Sequence, residues 1–560
     1  MDITSVLVSK ARSFIVRVVK KMQRREIARC LREIIRANGF KGAAAQASPD
    51  NRPMIDDWRL PMRFLTRNPV PVGAVALATM MLAIPAGDAL AQTTARLPPA
   101  IEKALVRAQV PRDAVAMLVV DASGKQPPRL AYRSDVPMNP ASVMKLVTTY
   151  SALDTLGPDF TWKTKVTLDG SLTSGLLNGN MVVQGGGDPK LVVERLQALL
   201  MQVQASGAKA IRGDIVLDRS AFSVPATDPG EFDGEPLRPY NARPDALLIN
   251  FKSVVMTFTA DIPNARAIVR YEPPMAGLQI AATVPLVRVS RCGDWRSELR
   301  ASVDNPNRID FLGSYSSACG EKIWPVAYSE PASFAARAVE GSWRQLGGLM
   351  TGSVRDATPQ ELAKLRLGGT LSGEKPAAQF EGVSIPLLEV VRDVNKYSNN
   401  IMAQHLFLTM GLKANLGQPK SGTLEAGRAA LSAWWKKNLP GAVPPLMDNG
   451  SGLSRNERIT AASLQALLQH AARSPLGAAL ADSLPVAGVD ATMRERARGV
   501  AGQAFVKTGS LRDVTAIAGY ANGLSGARYI VVGLINHPNA SAARPALDAL
   551  VDWAVKEGAR

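Results

Sequence analysis

Between Thr161 and about Trp343 the chain changes texture. Short β-like runs at residues 162–168, 180–183, 211–217, 255–260 and 267–271 alternate there with turns rich in Gly, Pro, Asn and Asp. Before this stretch, residues 114–120 read as a strand, with 126–132 as its hairpin partner. Pro140 then opens a helix on which Val143, Leu146, Val147, Tyr150, Leu153 and Leu156 share an apolar face, and Gly157-Pro158 ends it. After Pro331 helical spacing returns at 333–346, 386–410, 424–438 and 461–472. Strands at 504–507 and 528–536 follow, and a helix from 541 to about 558 closes the chain. The expectation is an α/β (α+β) domain split by a β-rich insertion. Residues 92–165 and 345–560 would form the split domain and 166–344 the insertion.

Composition removes several classes. Of the 560 residues, 46% are apolar and 20% charged, ordinary for packed cores and incompatible with a disordered or collagen-like chain. Three Cys and three His are too few for a disulfide-dense module or a zinc site built on C-x-x-C pairs. The net charge of +18 divides into +7 for residues 1–61, +1 for 62–91 and +10 for 92–560. A basic surface favours anionic partners. No Lys/Arg run with interleaved aromatics occurs in the main body, so nucleic acid is not expected as a partner.

Residues 62–91 have the three parts of a secretory signal peptide. These are a basic start (Arg63, Arg67), an uncharged apolar run from Pro69 to Gly87, and a small-x-small end at Ala89-Leu90-Ala91 before Gln92. Such a peptide belongs at an N-terminus, so translation is expected to start at Met62 or Met54, which makes residues 1–61 a doubtful extension. The alternative is that residues 9–38, a basic amphipathic stretch, lie on a membrane surface. Export leaves Cys292 and Cys319 in the mature chain. In an oxidising compartment they can close one loop, contributing about 3–4 kcal/mol.

Ser142-Val143-Met144-Lys145 puts a hydroxyl and an amine on one helical face. A Ser hydroxyl is a weak nucleophile until a neighbour takes its proton, and a desolvated Lys can do so. Two other S-x-x-K stretches, Ser206-Gly207-Ala208-Lys209 and Ser372-Gly373-Glu374-Lys375, contain glycine and read as turns. Only Ser142 begins an apolar-striped helix, where backbone N–H groups point at a developing oxyanion. Ser398-Asn399-Asn400 supplies a hydroxyl–amide pair, with Ser454-Arg455-Asn456 as a rival. Lys507-Thr508-Gly509, at the end of a strand, can hold a carboxylate while Gly lets a substrate backbone approach. Its rival, Lys420-Ser421-Gly422, reads as a loop. His405, His470 and His537 are scattered with no Asp partner, and Gly185-Gly186-Gly187-Asp188 lacks the G-K-[S/T] of a phosphate loop.

The order S-x-x-K, S-x-N, K-T-G is far more specific than any one of the three. With it the chain resembles the penicillin-recognising serine transferases. Within them it resembles the low-molecular-mass penicillin-binding proteins that are D-alanyl-D-alanine carboxypeptidases/endopeptidases of the class C type. The likeness covers about residues 95–558 and includes Val183–Pro189, Asn241-Ala242-Arg243-Pro244, Gly450–Arg455 and Ser483–Asp490. It implies a β-lactamase/transpeptidase-like fold with extra domains between Ser142 and Ser398. It also implies the following roles. Ser142 would attack the peptide carbonyl with Lys145 as base, and Ser398 would relay a proton to the leaving amine. Asn400 would bind the substrate amide. Lys507 and Thr508, with Gly509 beside them, would hold the terminal carboxylate. The N–H groups of Ser142 and Ser510 would form the oxyanion hole. Peptidoglycan stem peptides and β-lactams would be the partners, the periplasm the location, and no cofactor or metal would be required. Gln404 stands where family members often have Glu. A β-lactamase or esterase on the same fold, or a silent wall-binding scaffold, are the alternatives.

Overall fold

The computed structural model describes residues 96–414 and 421–557. The expected signal peptide, residues 9–38, Cys30 and Lys420 lie outside them. Five strands form an antiparallel sheet: β1 (Val115–Asp121), β2 (Leu130–Tyr132), β3 (Ala504–Leu511), β4 (Val514–Asn522) and β5 (Arg528–Asn536). The spatial order is β3-β4-β5-β1-β2. The chain closes with three strands rather than two, because β4 follows β3 after a turn at Arg512-Asp513.

Both faces of this sheet are covered. Along β1, Ala116, Leu118 and Val120 enter one core, and Val115, Met117 and Val119 enter the other. Period-2 side-chain direction thus becomes an unbroken apolar run, as expected for a doubly covered strand. Helices α1 (Pro99–Arg107) and α7 (Arg544–Val555) cover one face. Helices α2 (Lys145–Leu156), α3 (Leu387–Tyr397), α4 (Asn400–Lys413), α5 (Leu424–Asn438) and α6 (Ala461–Arg473) build the core on the other.

The segment expected as one helix over 386–410 is two. Ser398 adopts a left-handed conformation (φ 57°), and the Asn399 side chain accepts the N–H of Met402 at 3.1 Å, capping α4. Asn at an N-cap satisfies an otherwise orphaned helix donor. The break sets Ser398 on the corner between two helices.

The insertion has its own core, running from Val166 to Trp343 with Ala378 and Phe380 packed against it. Its main sheet pairs Lys163–Thr173 with both Leu176–Gly185 and Ala378–Val383. A second sheet pairs Ser253–Asp261 with Arg266–Glu272 and Glu321–Ala327. The strand Ala378–Val383, which lies beyond the expected 166–344, thus joins the sheet that begins at Lys163. The helix Phe334–Gln345, which falls within the expected insertion, buries Phe334, Ala338, Val339 and Trp343 in the insertion's core. Helical spacing reports an apolar stripe, not the domain that stripe faces. The insertion also contains the helix Val193–Ala205, unanticipated between the β-like runs. Cys292 and Cys319 form the expected disulfide within it. Among the described residues no helix is long and apolar enough to cross a membrane.

The insertion also reaches the split domain. Buried His405 of α4 hydrogen-bonds the carbonyl of Gly187 through Nδ1 (2.9 Å), and its Nε2 accepts the N–H of Asp245 (3.3 Å). Burial holds this imidazole down at about 4, so it is neutral and structural.

Candidate active site

Ser142 lies in a 3-10 turn, Ala141–Met144, that runs directly into α2. Ala141, just before it, has φ 47°, a conformation L residues rarely adopt. Asn139 holds it there, with its Oδ1 accepting the Ala141 N–H at 2.8 Å. Asn139 is itself clamped. Its backbone N–H and carbonyl pair with the Asn536 side chain (2.8 and 2.9 Å), and its Nδ2 donates to the Ser454 carbonyl (2.9 Å). Two glycines close the turn from outside. A Cβ on Gly452 would sit 2.0 Å from the Ala141 oxygen. One on Gly509 would sit 2.4 Å from the Pro140 oxygen and 3.0 Å from the Ser142 nitrogen.

Lys145 is fully buried. Its Nζ is 3.0 Å from Ser142 Oγ and 2.6 Å from Asn400 Oδ1, and it donates to the Ser451 carbonyl. Burial pushes the amine well below its ordinary range. The nearby Lys507 pushes it further down, and Glu457 opposes both. Asn400 Nδ2 donates to the Tyr240 carbonyl at 3.1 Å, so its amide ties α2 to the insertion.

Lys507, on β3, is the second fully buried amine. Its Nζ is 2.9 Å from Ser398 Oγ and 2.9 Å from the Thr508 carbonyl. Burial brings it down to about 7. Thr508 Oγ1 donates to Thr492 Oγ1 at 2.9 Å. Ser510 follows on the same strand. All three sequence motifs therefore converge, joined through Lys145–Asn400 and Lys507–Ser398.

The rival motifs fall elsewhere. Ser372 donates to Asp169 within the insertion, Ser206 caps the helix Val193–Ala205, and Ser421 donates to the Ser220 carbonyl at 2.6 Å. Ser454 is buried and contributes its carbonyl to the Asn139 clamp. His470 meets the Tyr150 hydroxyl at 2.7 Å, and His537 Nδ1 accepts the Asn539 N–H at 3.1 Å. Among the described residues no group of three or more His, Cys, Asp or Glu is arranged to hold a metal. Asn139, Asn536, Ser451, Thr492 and Glu457 were not anticipated. Only Ser451 carried a signal, inside the quoted Gly450–Arg455 stretch.

A cavity of about 320 Å³ opens beside these groups, lined by Tyr240, Arg243, Gln404, Asn449, Ser454 and Arg455 among others. A roomier one, about 610 Å³, lies between the end of α5 and α6 and holds none of the motif residues.

A family model described as the D-Ala-D-Ala carboxypeptidase 3 (S13) family matches residues 97–557. The chain belongs to that family. This S13 chain is thus a serine-type peptidase of the D-Ala-D-Ala carboxypeptidase class. It is 26% identical over 410 residues to the D-alanyl-D-alanine carboxypeptidase DacB of Haemophilus influenzae, covering 72% of this chain and 82% of that one. It is 28% identical over 400 residues to a D-alanyl-D-alanine carboxypeptidase of Actinomadura sp. strain R39, covering 69% and 71%. The crystal structure of penicillin-binding protein 4 (dacB) from H. influenzae superposes with a TM-score of 0.61 at 23% identity, covering 80% of this chain and 99% of that one. The fold implied by the three motifs is the fold found.

The two buried amines of the S13 site make stability depend on pH. Lys507 has a folded value near 7, below its unfolded value near 10.4. Between these values the unfolded chain binds a proton that the folded chain does not, so stability rises with pH across that window and is flat below it. For one proton the slope approaches about 1.4 kcal/mol per pH unit. Denaturant unfolding between about pH 7 and 9 should give a shallower rise for Lys507→Met than for wild type. Equal slopes would contradict the assignment.

Proposed function

We propose that this chain hydrolyses the D-Ala-D-Ala bond of peptidoglycan stem peptides through an acyl-enzyme on Ser142, and that penicillin acylates the same hydroxyl. The observation that carries this is the 3.0 Å contact between a fully buried Lys145 amine and Ser142 Oγ. Desolvation lowers that amine's pKa and so favours its neutral form, the form that can accept the Ser142 proton.

Ser142 Oγ attacks the carbonyl carbon of the penultimate D-Ala as Lys145 takes its proton. The N–H groups of Ser142 and Ser510 receive the oxyanion. Asn400 keeps one Nδ2 hydrogen on Tyr240 and turns the second to the substrate carbonyl, since an amide nitrogen has two to donate. Lys507 has three donors when protonated. Two are engaged, and the third meets the terminal carboxylate beside Thr508. A carboxylate there raises Lys507 from about 7, so substrate binding recruits the proton that binds it. Ser398 relays the proton from Lys145 to the leaving D-Ala amine as the C–N bond breaks, which returns Lys145 to its neutral form, ready to take a proton from the water that later releases the acyl group. Arg243 and Arg455 on the neighbouring cavity suit an acidic stem peptide.

Residues 62–91 direct the chain to the periplasm, and residues 92–162 and 384–560 act as the catalytic domain. Edman sequencing of the native protein should begin at Gln92. A mature end far upstream overturns that reading.

The test of function is release of free D-Ala from a stem pentapeptide, alongside release of monomers from cross-linked muropeptides. Wild type should release D-Ala, and Ser142→Ala should be slower by about 10⁴-fold or more. Folded wild-type protein that releases neither product overturns the proposal. Monomer release in addition assigns endopeptidase action.

A further inference from the structure

Glu457 has no place in the reaction just described, yet it is fully buried behind the site. Its Oε1 accepts the backbone N–H groups of Asp448 (3.0 Å) and Asn449 (3.2 Å). Its Oε2 is buried and has no hydrogen-bond partner among the described residues. A buried, half-satisfied carboxyl is costly.

The loop it staples is the one that grips α2. Two residues on, the Gly450 carbonyl accepts the Thr148 hydroxyl at 2.6 Å. Next, the Ser451 carbonyl accepts from Lys145 Nζ. Asn449 Oδ1 braces that turn by accepting the Ser451 N–H at 3.0 Å and its hydroxyl at 2.6 Å. Then Gly452 presses on the Ala141 carbonyl beside the nucleophile. A glutamine could serve the two N–H groups equally well, because its amide oxygen is the same acceptor. Stapling therefore accounts for the shape at position 457 but not for an acid there.

We propose that Glu457 is a positioning residue of the acylation step: it fixes the Ser451 carbonyl on Lys145, and its carboxylate balances the ammonium formed when Lys145 takes the Ser142 proton. The proposal rests on Lys145 being the base. The charged groups that bear on this space are Lys145 from α2, Lys507 from β3, and Asp448 at the head of the loop. Burial raises Glu457 to about 7, and Lys145 pulls it back down. The carboxyl is thus an anion at mildly alkaline pH, where it makes Lys145 a stronger proton acceptor.

The experiment is the rate of acylation by benzylpenicillin against pH, for wild type and Glu457→Gln. Glutamine keeps the staple and removes the charge. Without the anion Lys145 loses basicity. The acid limb should move to lower pH by about one unit, and the plateau should fall several-fold. A variant with an unmoved acid limb, whatever its thermal stability, overturns the proposal. A wild type that is not acylated at all overturns the base assignment instead, which separates the two failures. If Glu457→Gln does not fold, infrared difference spectroscopy on wild type decides. A protonated-carboxyl band should vanish near neutral pH and shift when Ser142 is acylated. No such band overturns the proposal.

Discussion

Lys145→Met is expected to slow acylation of Ser142 by about 10²–10⁴-fold without unfolding the chain. Methionine is unbranched and close in length, so it fills the space of a fully buried side chain with little repacking. What it removes is the amine 3.0 Å from Ser142 Oγ. The serine then loses the amine that takes its proton. The effect on stability is small because two contributions oppose each other. The Asn400 Oδ1 and Ser451 carbonyl lose their donor, costing about 1–3 kcal/mol. Against this, a group that burial disfavours as an ion is gone, which offsets part of the loss. Stopped-flow acylation beside denaturant unfolding separates the two quantities. Acylation within about tenfold of wild type would remove Lys145 from the role of base.

Gly509→Ala is expected to cut acylation by about 10²-fold or more and to destabilise the chain by about 1–3 kcal/mol. The added methyl would lie 2.4 Å from the Pro140 oxygen and close to the nitrogens of Ser142 and Val143. None of these is the movable end of a side chain. Relief requires β3 to withdraw from the nucleophile's turn. That withdrawal moves Ser510 and Thr508 away from Ser142 while the Lys145–Ser142 pair stays intact. Gly157→Ala is the control: among the described residues nothing lies within 4 Å of its added Cβ, and it is outside the site, although its φ of 84° imposes backbone strain. It should destabilise without lowering the acylation rate of the folded fraction. Equal acylation by wild type and Gly509→Ala would mean that β3 does not seat the substrate against Ser142.

The chemistry of this chain was more legible in its sequence than its scaffold. Ser142 with Lys145, Ser398 with Asn400, and Lys507 with Thr508 form short motifs, and local spacing fixes the geometry within each one. What local spacing cannot give is the wall behind them. Asn139 and Asn536 are 397 residues apart, and only the antiparallel sheet brings them together. Glu457 looks like one more surface acid in the run Arg455–Arg458 until the loop folds over it. The break at Ser398 was misread because apolar residues keep helical spacing on both sides, while the left-handed corner depends on one residue and the Asn399 cap. The pairing of Ala378–Val383 with Lys163–Thr173 was not legible for a related reason. Ala378–Val383 is exposed at alternate positions and lies far from its partner strand, so nothing local announces the pairing.

The most direct test of the central claim is the intact mass of the purified mature protein after brief exposure to benzylpenicillin, measured beside Ser142→Ala. The wild type should gain one penicillin, retained after removal of free drug, and the variant should gain none. A folded wild type that gains no mass and does not consume the drug, or a variant that still gains it, would contradict the assignment of Ser142 as the acylated nucleophile.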